Sequence, residues 1–383
     1  MYTIWYDGAV LYDPRDESRD IRDAAARIAV ADAGSFEIGD LSFTIDAGHP
    51  ELDRLKRMSG IVELRQDDAP VFRGRIARDR TDIDLAHKVE VESCLTFLND
   101  SVVDPFGFPA DVAALTAYQT AAASGNVVAY YLGMLLAAHN GQVSSEQKLQ
   151  LGRVTVTDPN NYIARESKNH ETTFDVVRDL VESLGGYLVP RYDEDVTYLD
   201  YLAALTDVNS QKVEWSKNLV DVEREIDGTE MYNEILPVGA DGLTISSLPD
   251  GPITVDLYKQ GDRIYSHNGR ARFRHRITRI AEWSDVTTAA SLQAKAAADL
   301  EAHSGGSAAE SITCKAVDLG YTSRDIEKFR AGRTTFVRSD PHGIIDEAYP
   351  LTEINVPDMK DPGSTEITLG RTTATISAAV SAK

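Results

Sequence analysis

The chain has 383 residues, of which 42% are hydrophobic and 26% charged, and its formal net charge at pH 7 is −22. Roughly two to four domains are expected from this length, and the balance of apolar and charged residues is that of a folded protein. The negative charge argues against non-specific nucleic-acid binding by the whole surface, because DNA phosphates would be repelled. Two interpretations of the acidic charge remain: it only keeps the protein soluble, or it lines a channel through which DNA passes without binding to the wall.

The sequence also indicates the compartment. It has no long apolar run that could span a membrane, and its first twenty residues turn acidic without the basic and apolar regions of a signal peptide. We therefore expect no membrane span and assembly in a cytoplasm. Cys94 and Cys314 lie far apart without a metal-type spacing, which predicts two buried apolar thiols. A disulfide would require the fold to bring them together.

The first hundred residues alternate apolar and polar side chains, which predicts β-strands. The predicted strands are SFTIDA (42–47), GIVELRQ (60–66), PVFRGRIARDR (70–80) and KVEVESCLTFL (88–98). QDDAP (66–70) is typical of a hairpin turn, and DPFGFP (104–109) closes the region. The strand spacing favours a small barrel or sandwich.

The next hundred residues change to helical patterns followed by a hairpin. Helices are predicted over 110–125, 126–141 and 172–186. The second helix has one apolar stripe, formed by Val128, Tyr131, Leu132, Leu135 and Leu136. The hairpin is VPRYDEDVTYLDYL (189–202), whose acidic turn favours a solvated turn over a calcium loop, because it lacks the length and glycine of such a loop. This region is predicted to be an α+β insert.

From residue 211 onward the pattern is mostly β again. The predicted strands are 234–240, 252–258, 270–280, 311–319, 333–339, 348–356 and 364–370. One helix interrupts them at 284–306, with Leu292, Ala296 and Leu300 expected on its buried side. The last residues, TTATISAAVSAK (372–383), are small and polar, and they predict a frayed or partner-dependent tail.

No catalytic, cofactor-binding or metal-binding set is predicted. The histidines are scattered, and the zinc-protease, nucleophile-elbow and phosphate-loop motifs do not occur. With 61 acidic residues, a carboxylate pair of the glycosidase type would arise somewhere by chance. We therefore expect no enzyme activity and no cofactor.

One charge pattern stands out in the predicted strand RARFRHRITRI (270–280). Arg270, Arg272, Arg274 and Arg276 alternate with other residues, so a strand would place all four on one face. The favoured interpretation is that they meet carboxylates of a neighbouring strand or subunit, as an inter-subunit or partner-contact face. The alternative is contact with DNA phosphate or a surface glycan.

Three passages, taken in order, resemble the tail-tip hub proteins of tailed phages. They are TTFDVVRDLVESLGGYLVPRYDEDVTYLDYL (172–202), QKVEWSKNLVDVEREIDGTEMYNEILPVGA (211–240) and AYPLTEINVPDMKDPGSTEITLGRT (348–372), with a weaker match in ESCLTFLNDSVVDPF (92–106). This family comprises the N-terminal domains of tail-associated lysins, or prophage endopeptidase tail proteins, which share a fold with the baseplate hub of contractile phages.

The resemblance implies an α+β, β-rich, multi-domain hub-like fold with two small β-barrel domains and an α+β insert. The expected first barrel domain is 1–105, completed by part of 207–235, and the expected insert is 106–206. The second barrel domain is 207–370 with an inserted helix at 284–304, and a tail follows at 371–383. Many relatives continue into a lysin or fibre domain after the closing TLGR strand. Here about a dozen residues follow that strand, so we expect wall degradation to belong to other chains.

The resemblance also implies partners. It indicates a homotrimer at the virion tail tip that joins the distal tail protein ring to a central fibre, spike or receptor-binding protein. The other expected partners are the C-terminus of the tape measure protein and the viral DNA. The lumen is closed before infection, and the DNA later passes through it without specific binding.

Two other classes of protein stay open from the residues alone. A cell-wall (peptidoglycan) hydrolase would need paired acids in a cleft, one of them with a raised pKa. A carbohydrate-binding receptor module could stack sugars on tyrosines near the hairpin, although packing of these rings into the core is favoured. The tyrosines are Tyr187, Tyr192, Tyr198 and Tyr201.

Overall fold

A computed structural model describes most of the chain. The described residues are 1–32, 36, 39–158, 162–226, 231–283, 286, 288–304, 310–321, 326–361, 363 and 365–369. They form a strand-rich α+β structure, so the predicted class is confirmed. The predicted tail at 371–383 lies outside the described residues.

The chain divides into two compact units. Unit 1 comprises Met1–Asp221 and Cys314–Thr368, and unit 2 comprises Val222–Thr313 with Leu369. This partition joins the predicted first domain and the predicted insert in unit 1, and it places the middle of the predicted second barrel domain in unit 2. The three-domain boundaries stay a prediction.

The first hundred residues supply most of the large sheet of unit 1. The strands are β1 (Tyr2–Tyr6), β2 (Ala9–Tyr12), β3 (Arg22–Ala29), β4 (Ala31–Asp32), β5 (Asp40–Ile45), β6 (Val62–Gln66), β7 (Ala69–Thr81) and β8 (His87–Ser93). The alternating burial along β8 shows why the period-two pattern predicts this sheet correctly. β6 and β7 meet at Asp67 and Asp68, whose positive φ values of 50° and 66° suit a two-residue hairpin turn.

One of these strands ends earlier than predicted. The strand expected over 88–98 stops at Ser93, and a 3-10 helix follows from Cys94 to Asp100. The reason is visible in the burial, because Cys94, Leu95, Thr96, Phe97 and Leu98 are all buried in succession. A continuous apolar run has lost the alternation that a half-exposed strand requires.

The predicted insert forms a second layer within unit 1. Its elements are β9 (Val102–Val103), β10 (Gly107–Phe108), α1 (Thr116–Ala123), α2 (Val127–Asn140), β11 (Leu149–Val154), β12 (Arg165–Glu166), β13 (Glu171–Thr172), α3 (Thr173–Leu184), β14 (Tyr187–Asp193) and β15 (Val196–Leu202). A four-stranded sheet has the order β11-β15-β14-β4. The α2 stripe is buried as predicted and packs in one core with Val177 and Val181 of α3 and Leu199 of β15.

The remaining elements complete both units. They are β16 (Val213–Glu214), β17 (Leu219–Ile226), β18 (Glu234–Val238), β19 (Gly251–Pro252), β20 (Leu257–Gln260), β21 (Arg263–Ser266), α4 (His267–Phe273), β22 (Thr278–Glu282), α5 (Ala289–Ser304), β23 (Glu310–Ala316), β24 (Arg333–Ser339), β25 (Ile344–Val356) and β26 (Glu366–Leu369). In unit 1, the sheet order is β25-β3-β5-β8-β7-β6-β1-β2. The order ends at β2, so no closed barrel occurs among the described strands, and the two barrels stay a prediction.

Unit 2 contains a five-stranded sheet, and α5 packs against it. Its strand order is β19-β20-β21-β18-β22. The predicted apolar side of α5 is confirmed, since Leu292, Ala296 and Leu300 are buried in one core with Ile235 and Ile264. No helix in the described part of the chain is long and apolar enough to cross a lipid bilayer.

Candidate partner-contact face and cleft

The arginine segment of unit 2 does not form the predicted strand over 270–276. Residues His267–Phe273 form α4, which begins where the Ser266 hydroxyl accepts a hydrogen bond from the Gly269 N–H at 2.8 Å. Arg274 ends the helix in the left-handed conformation, with φ 59°. Only Thr278 onward is strand, in β22. The four arginines therefore do not share one strand face, because a local helix cap outweighs the period-two pattern.

Two of the four arginines meet a buried carboxylate. Glu234 on β18 is fully buried and pairs with Arg263 (Nη1 to Oε1, 2.8 Å), with Arg276 (Nε to Oε2, 3.0 Å) and with Arg270. The Thr278 hydroxyl donates to the same group at 3.2 Å. Burial raises the pKa of Glu234, but the hydrogen bonds from Arg263 and Arg270 outweigh it and hold the pKa below its usual value.

The other two arginines, Arg272 and Arg274, are exposed and have no ion pair within the described part of the chain. They lie in the segment 263–279, which contains six arginines and no aspartate or glutamate. In a chain of net charge −22 this is a local excess of positive charge. The assignment of these residues to a partner-contact face stays a prediction.

Arginines in unit 1 have a different environment. Arg73 on β7 is buried, and its Nε donates to Oε2 of the buried Glu63 at 2.7 Å. Its terminal nitrogens reach the Thr197 hydroxyl at 3.3 Å and the Glu194 carbonyl oxygen. Arg75, two residues on, is also buried and pairs with Glu92 (2.7 Å) and Asp100. Sequence reasoning missed these contacts, since neither arginine departs from the strand pattern.

The predicted hairpin at 189–202 is confirmed. β14 pairs with β15 from Tyr187–Leu202 to Asp193–Val196, and the turn consists of Glu194 and Asp195. The Tyr201 hydroxyl donates to the Gly185 carbonyl oxygen at 2.7 Å, which holds the hairpin to the end of α3. Tyr187 and Tyr201 are buried, so these two rings are core residues and cannot stack on a sugar.

A cleft of about 240 Å³ opens beside this hairpin, inside unit 1. Its lining includes four arginines, Arg153 of β11, Arg191 of β14, Arg330 just before β24 and Arg333 at the start of β24. Asp200 of β15, almost fully buried, accepts hydrogen bonds from Arg153 Nε at 3.1 Å and Arg191 Nε at 3.3 Å. No sequence pattern indicated this site, because its residues come from distant parts of the chain.

The groups that could carry other chemistry are buried or dispersed. Both cysteines are free and buried, as predicted, and burial raises the pKa of Cys94 to about 11 and that of Cys314 to about 12. His139 is buried between the Ser101 hydroxyl (2.8 Å) and the Gln147 carbonyl oxygen (3.1 Å). Within the described residues, no group of three or more histidine, cysteine and acidic side chains could hold a metal ion.

Three solved structures share this fold over nearly the whole chain. The 43 kDa tail protein of prophage MuSo2 from Shewanella oneidensis is 11% identical, with a TM-score of 0.56. The match covers 97% of this chain and 98% of that protein. A tail protein from Neisseria meningitidis is 15% identical (TM-score 0.55, 96% of each chain), and prophage tail protein gp18 from Listeria monocytogenes is 10% identical (TM-score 0.51, 99% and 97%). The fold is that of phage tail proteins.

The second half of the chain also has a match in sequence. Residues 207–380 match the model of the family described as prophage endopeptidase tail. No curated protein sequence is significantly similar to the chain. The resemblance inferred from the sequence is thereby confirmed: the second half of the chain matches the prophage endopeptidase tail family, and three prophage tail proteins share the fold over nearly the whole chain.

Proposed function

We propose that the chain is a structural virion protein, the trimeric hub of the phage tail tip. It joins the distal tail protein ring to a host-facing fibre, spike or receptor-binding protein, and it contacts the C-terminus of the tape measure protein. Three copies surround a lumen that is closed before infection and lets viral DNA leave. The observation that carries the proposal is the agreement of fold with three prophage tail proteins over at least 96% of the chain.

The proposed hub needs surfaces that repeat around an axis. Two small barrel domains per chain would give three copies six similar docking faces for a hexameric ring, as the sequence resemblance implies. Head-to-tail contacts between copies form a closed ring when the rotations from one copy to the next add up to a full turn. The net charge of −22 supports a DNA passage, because an acidic wall does not hold the phosphate backbone.

Arg272 and Arg274 serve in this proposal as a contact to an acidic neighbouring chain. They are exposed and unpaired within the described residues, whereas Arg263, Arg270 and Arg276 share Glu234. Charge-assisted hydrogen bonds to carboxylates are the natural use of free guanidinium groups at an interface. Because the chain as a whole is acidic, a second copy of it is a suitable partner for these two arginines.

Wall degradation belongs, in this proposal, to other chains of the tail. The two thiols are buried and their pKa values are raised by burial, so at neutral pH neither is an exposed thiolate. A zymogram on host peptidoglycan tests the point directly. Clearing by the purified chain would replace the structural role with a hydrolase.

The oligomeric state is tested by light scattering and native mass spectrometry of the full-length chain. A trimer of three 42.0 kDa chains has a mass of about 126 kDa. Imaging of assembled tails should then place the chain at the tip, between the distal ring and the fibre. A monomer both in solution and in assembled tails contradicts the hub.

Two double variants with reversed charge test the arginine contact separately from the formation of the trimer. Arg272→Glu with Arg274→Glu should reduce assembly at low salt, and Lys56→Glu with Arg57→Glu is the matched control. Lys56 and Arg57 are exposed, and their side chains have no ion pair in the described part of unit 1. Equal assembly by the two double variants would exclude the arginine contact while leaving the hub in place.

A further inference from the structure

We infer that the cleft of unit 1 is a binding site for a small dianion that carries carboxylate or phosphate groups. The cleft lies between the β14–β15 hairpin and the loop before β24, and its volume is about 240 Å³. A site of this size can hold a small organic anion but not a folded segment of another protein. The inference does not depend on the hub proposal.

The charge of the lining favours an anion. Four guanidinium groups line the cleft, those of Arg153, Arg191, Arg330 and Arg333, against the two carboxylates of Asp200 and Asp207. The lining therefore carries four positive and two negative charges, and Glu327, which is not among the lining residues but accepts a hydrogen bond from Arg333 at 3.1 Å, reduces the local excess to one. A local positive excess in a chain of net charge −22 is expected to attract an anion rather than a neutral molecule.

The guanidinium groups also have donors to spare. Arg191 uses only its Nε for Asp200, and no described residue accepts from its terminal nitrogens. Arg330 has only an ion pair at 3.6 Å to Glu327, which is longer than a hydrogen bond. Because a guanidinium presents its donors as a planar fork, such free edges match the two oxygens of a carboxylate or phosphate.

The cleft is held in shape before any ligand binds. Asp200 is fixed by the Arg153 backbone N–H at 2.8 Å, and a Cβ at Gly152 would lie 1.9 Å from its Oδ1, so only glycine fits there. Gly332, which is part of the lining, has φ +81°, and a Cβ there would meet Val189 at 2.8 Å. The backbone is therefore closely packed at both glycines, and a preformed site has a lower entropy cost of binding.

Part of the cleft lining is apolar. Val189, Leu202 and Ala331 belong to one small core cluster, and all three line the cleft. The Arg191 guanidinium lies over the Tyr198 ring at 4.4 Å, which fixes its plane. A combination of apolar lining with a few charged groups is the usual form of a small-molecule site.

The test is a calorimetric titration of the full-length chain with two probes, inorganic phosphate and succinate, each against sodium chloride at equal ionic strength. Saturable binding of at least one probe with a stoichiometry of one per chain is expected. Phosphate alone, or succinate alone, identifies which acidic group the site takes. Failure of both probes to bind above the chloride control overturns the inference.

Variants locate the binding. Arg191→Gln and Arg330→Gln should each weaken binding about tenfold or more, because each removes a charge-assisted hydrogen bond to the anion. Arg330 has no hydrogen bond from its side chain in the described structure, so its variant is expected to fold even if Arg191→Gln does not. Arg178→Gln on α3 is the control, since Arg178 does not line the cleft. Equal affinities for wild type and both cleft variants would also overturn the inference.

Discussion

The two units use arginine in different ways. In unit 1, Arg73 and Arg75 are buried in the sheet, and each meets carboxylates at hydrogen-bond distance. In unit 2, three arginines converge on one carboxylate, Glu234, and two more have no ion pair among the described residues.

The difference teaches that the local supply of carboxylates, rather than the composition of the chain, decides the role of an arginine. The chain has 61 acidic residues, yet none lies in the segment 263–279. Arg73 and Arg75 lie beside carboxylates and are buried, and their pairing matters because an unpaired buried charge is costly. Arg272 and Arg274, which have no ion pair among the described residues, are exposed to solvent instead.

Removal of the shared carboxylate should have the largest effect. Glu234→Gln leaves three arginines around a neutral amide, and we expect unit 2 to lose about 3 kcal/mol, as when one partner of a buried ion pair is removed. Hydrogen exchange of β18, β21 and β22 measures this loss, and Glu282→Gln, exposed on β22, is the control. Unchanged exchange in Glu234→Gln would mean that the convergence on Glu234 has no stabilising role.

The matching change in unit 1 should cost less. Arg73→Met removes the buried guanidinium but leaves Arg65 beside Glu63, so we expect a loss of about 2 kcal/mol. Hydrogen exchange of β7 and of the β14–β15 hairpin measures it, because Arg73 also binds the Glu194 carbonyl oxygen in the hairpin turn. Arg78→Met, an exposed residue of the same strand, should change little. A loss larger than that of Glu234→Gln would reverse the comparison.

His139 is a buried imidazole with no salt bridge among the described residues, and it adds a test of the comparison that depends on pH. Burial lowers the pKa of His139, although the Gln147 carbonyl and Asp100 oppose the shift. Because the folded-state pKa lies below the unfolded value of about 6.5, the unfolded chain binds the extra proton first. The contribution of neutral His139 to the stability of the fold is therefore fully present above about pH 6.5, and it is lost as the pH falls below that value.

Denaturation of wild type and His139→Gln across this range isolates the effect. The difference in stability between the two should shrink as the pH falls, since the variant cannot take up that proton. His170→Gln, at an exposed site, serves as the control. A difference that is constant between pH 5 and pH 8 would show that His139 does not contribute to the pH dependence.

The smallest effect on stability is expected at the exposed arginines. Arg272→Ala and Arg274→Ala should each change the unfolding free energy by less than about 0.5 kcal/mol, because exposed residues without a partner contribute little. Thermal unfolding of each variant gives the value. A loss above about 1 kcal/mol would indicate a structural contact for these side chains, and the contrast between the two units would then weaken.

Part of the fold followed from the sequence. The alternation in β5 to β8, the apolar stripe of α2 and the buried side of α5 were predicted correctly, because burial on one face imposes a period of two or 3.6 residues. The strand over 270–276 was wrong, since the Ser266 cap and the left-handed Arg274 start and stop a short helix inside an alternating pattern.

The sites were harder to predict than the fold. The arginines were singled out by their spacing, but their common partner Glu234 lies 36 residues from Arg270 and shows no pattern of its own. The cleft could not be found at all, because its arginines come from β11, β14, the loop before β24 and the start of β24. Such sites depend on which distant segments meet, and local periodicity carries no information about that.

The convergence on Glu234 also has a mechanical consequence. Its two oxygens connect the start of β21, the middle of α4 and the residues just before β22 through Arg263, Arg270 and Arg276. A pull on any one of these three segments is therefore resisted by the other two. Displacement of this single carboxylate would therefore remove a contact from all three segments at once.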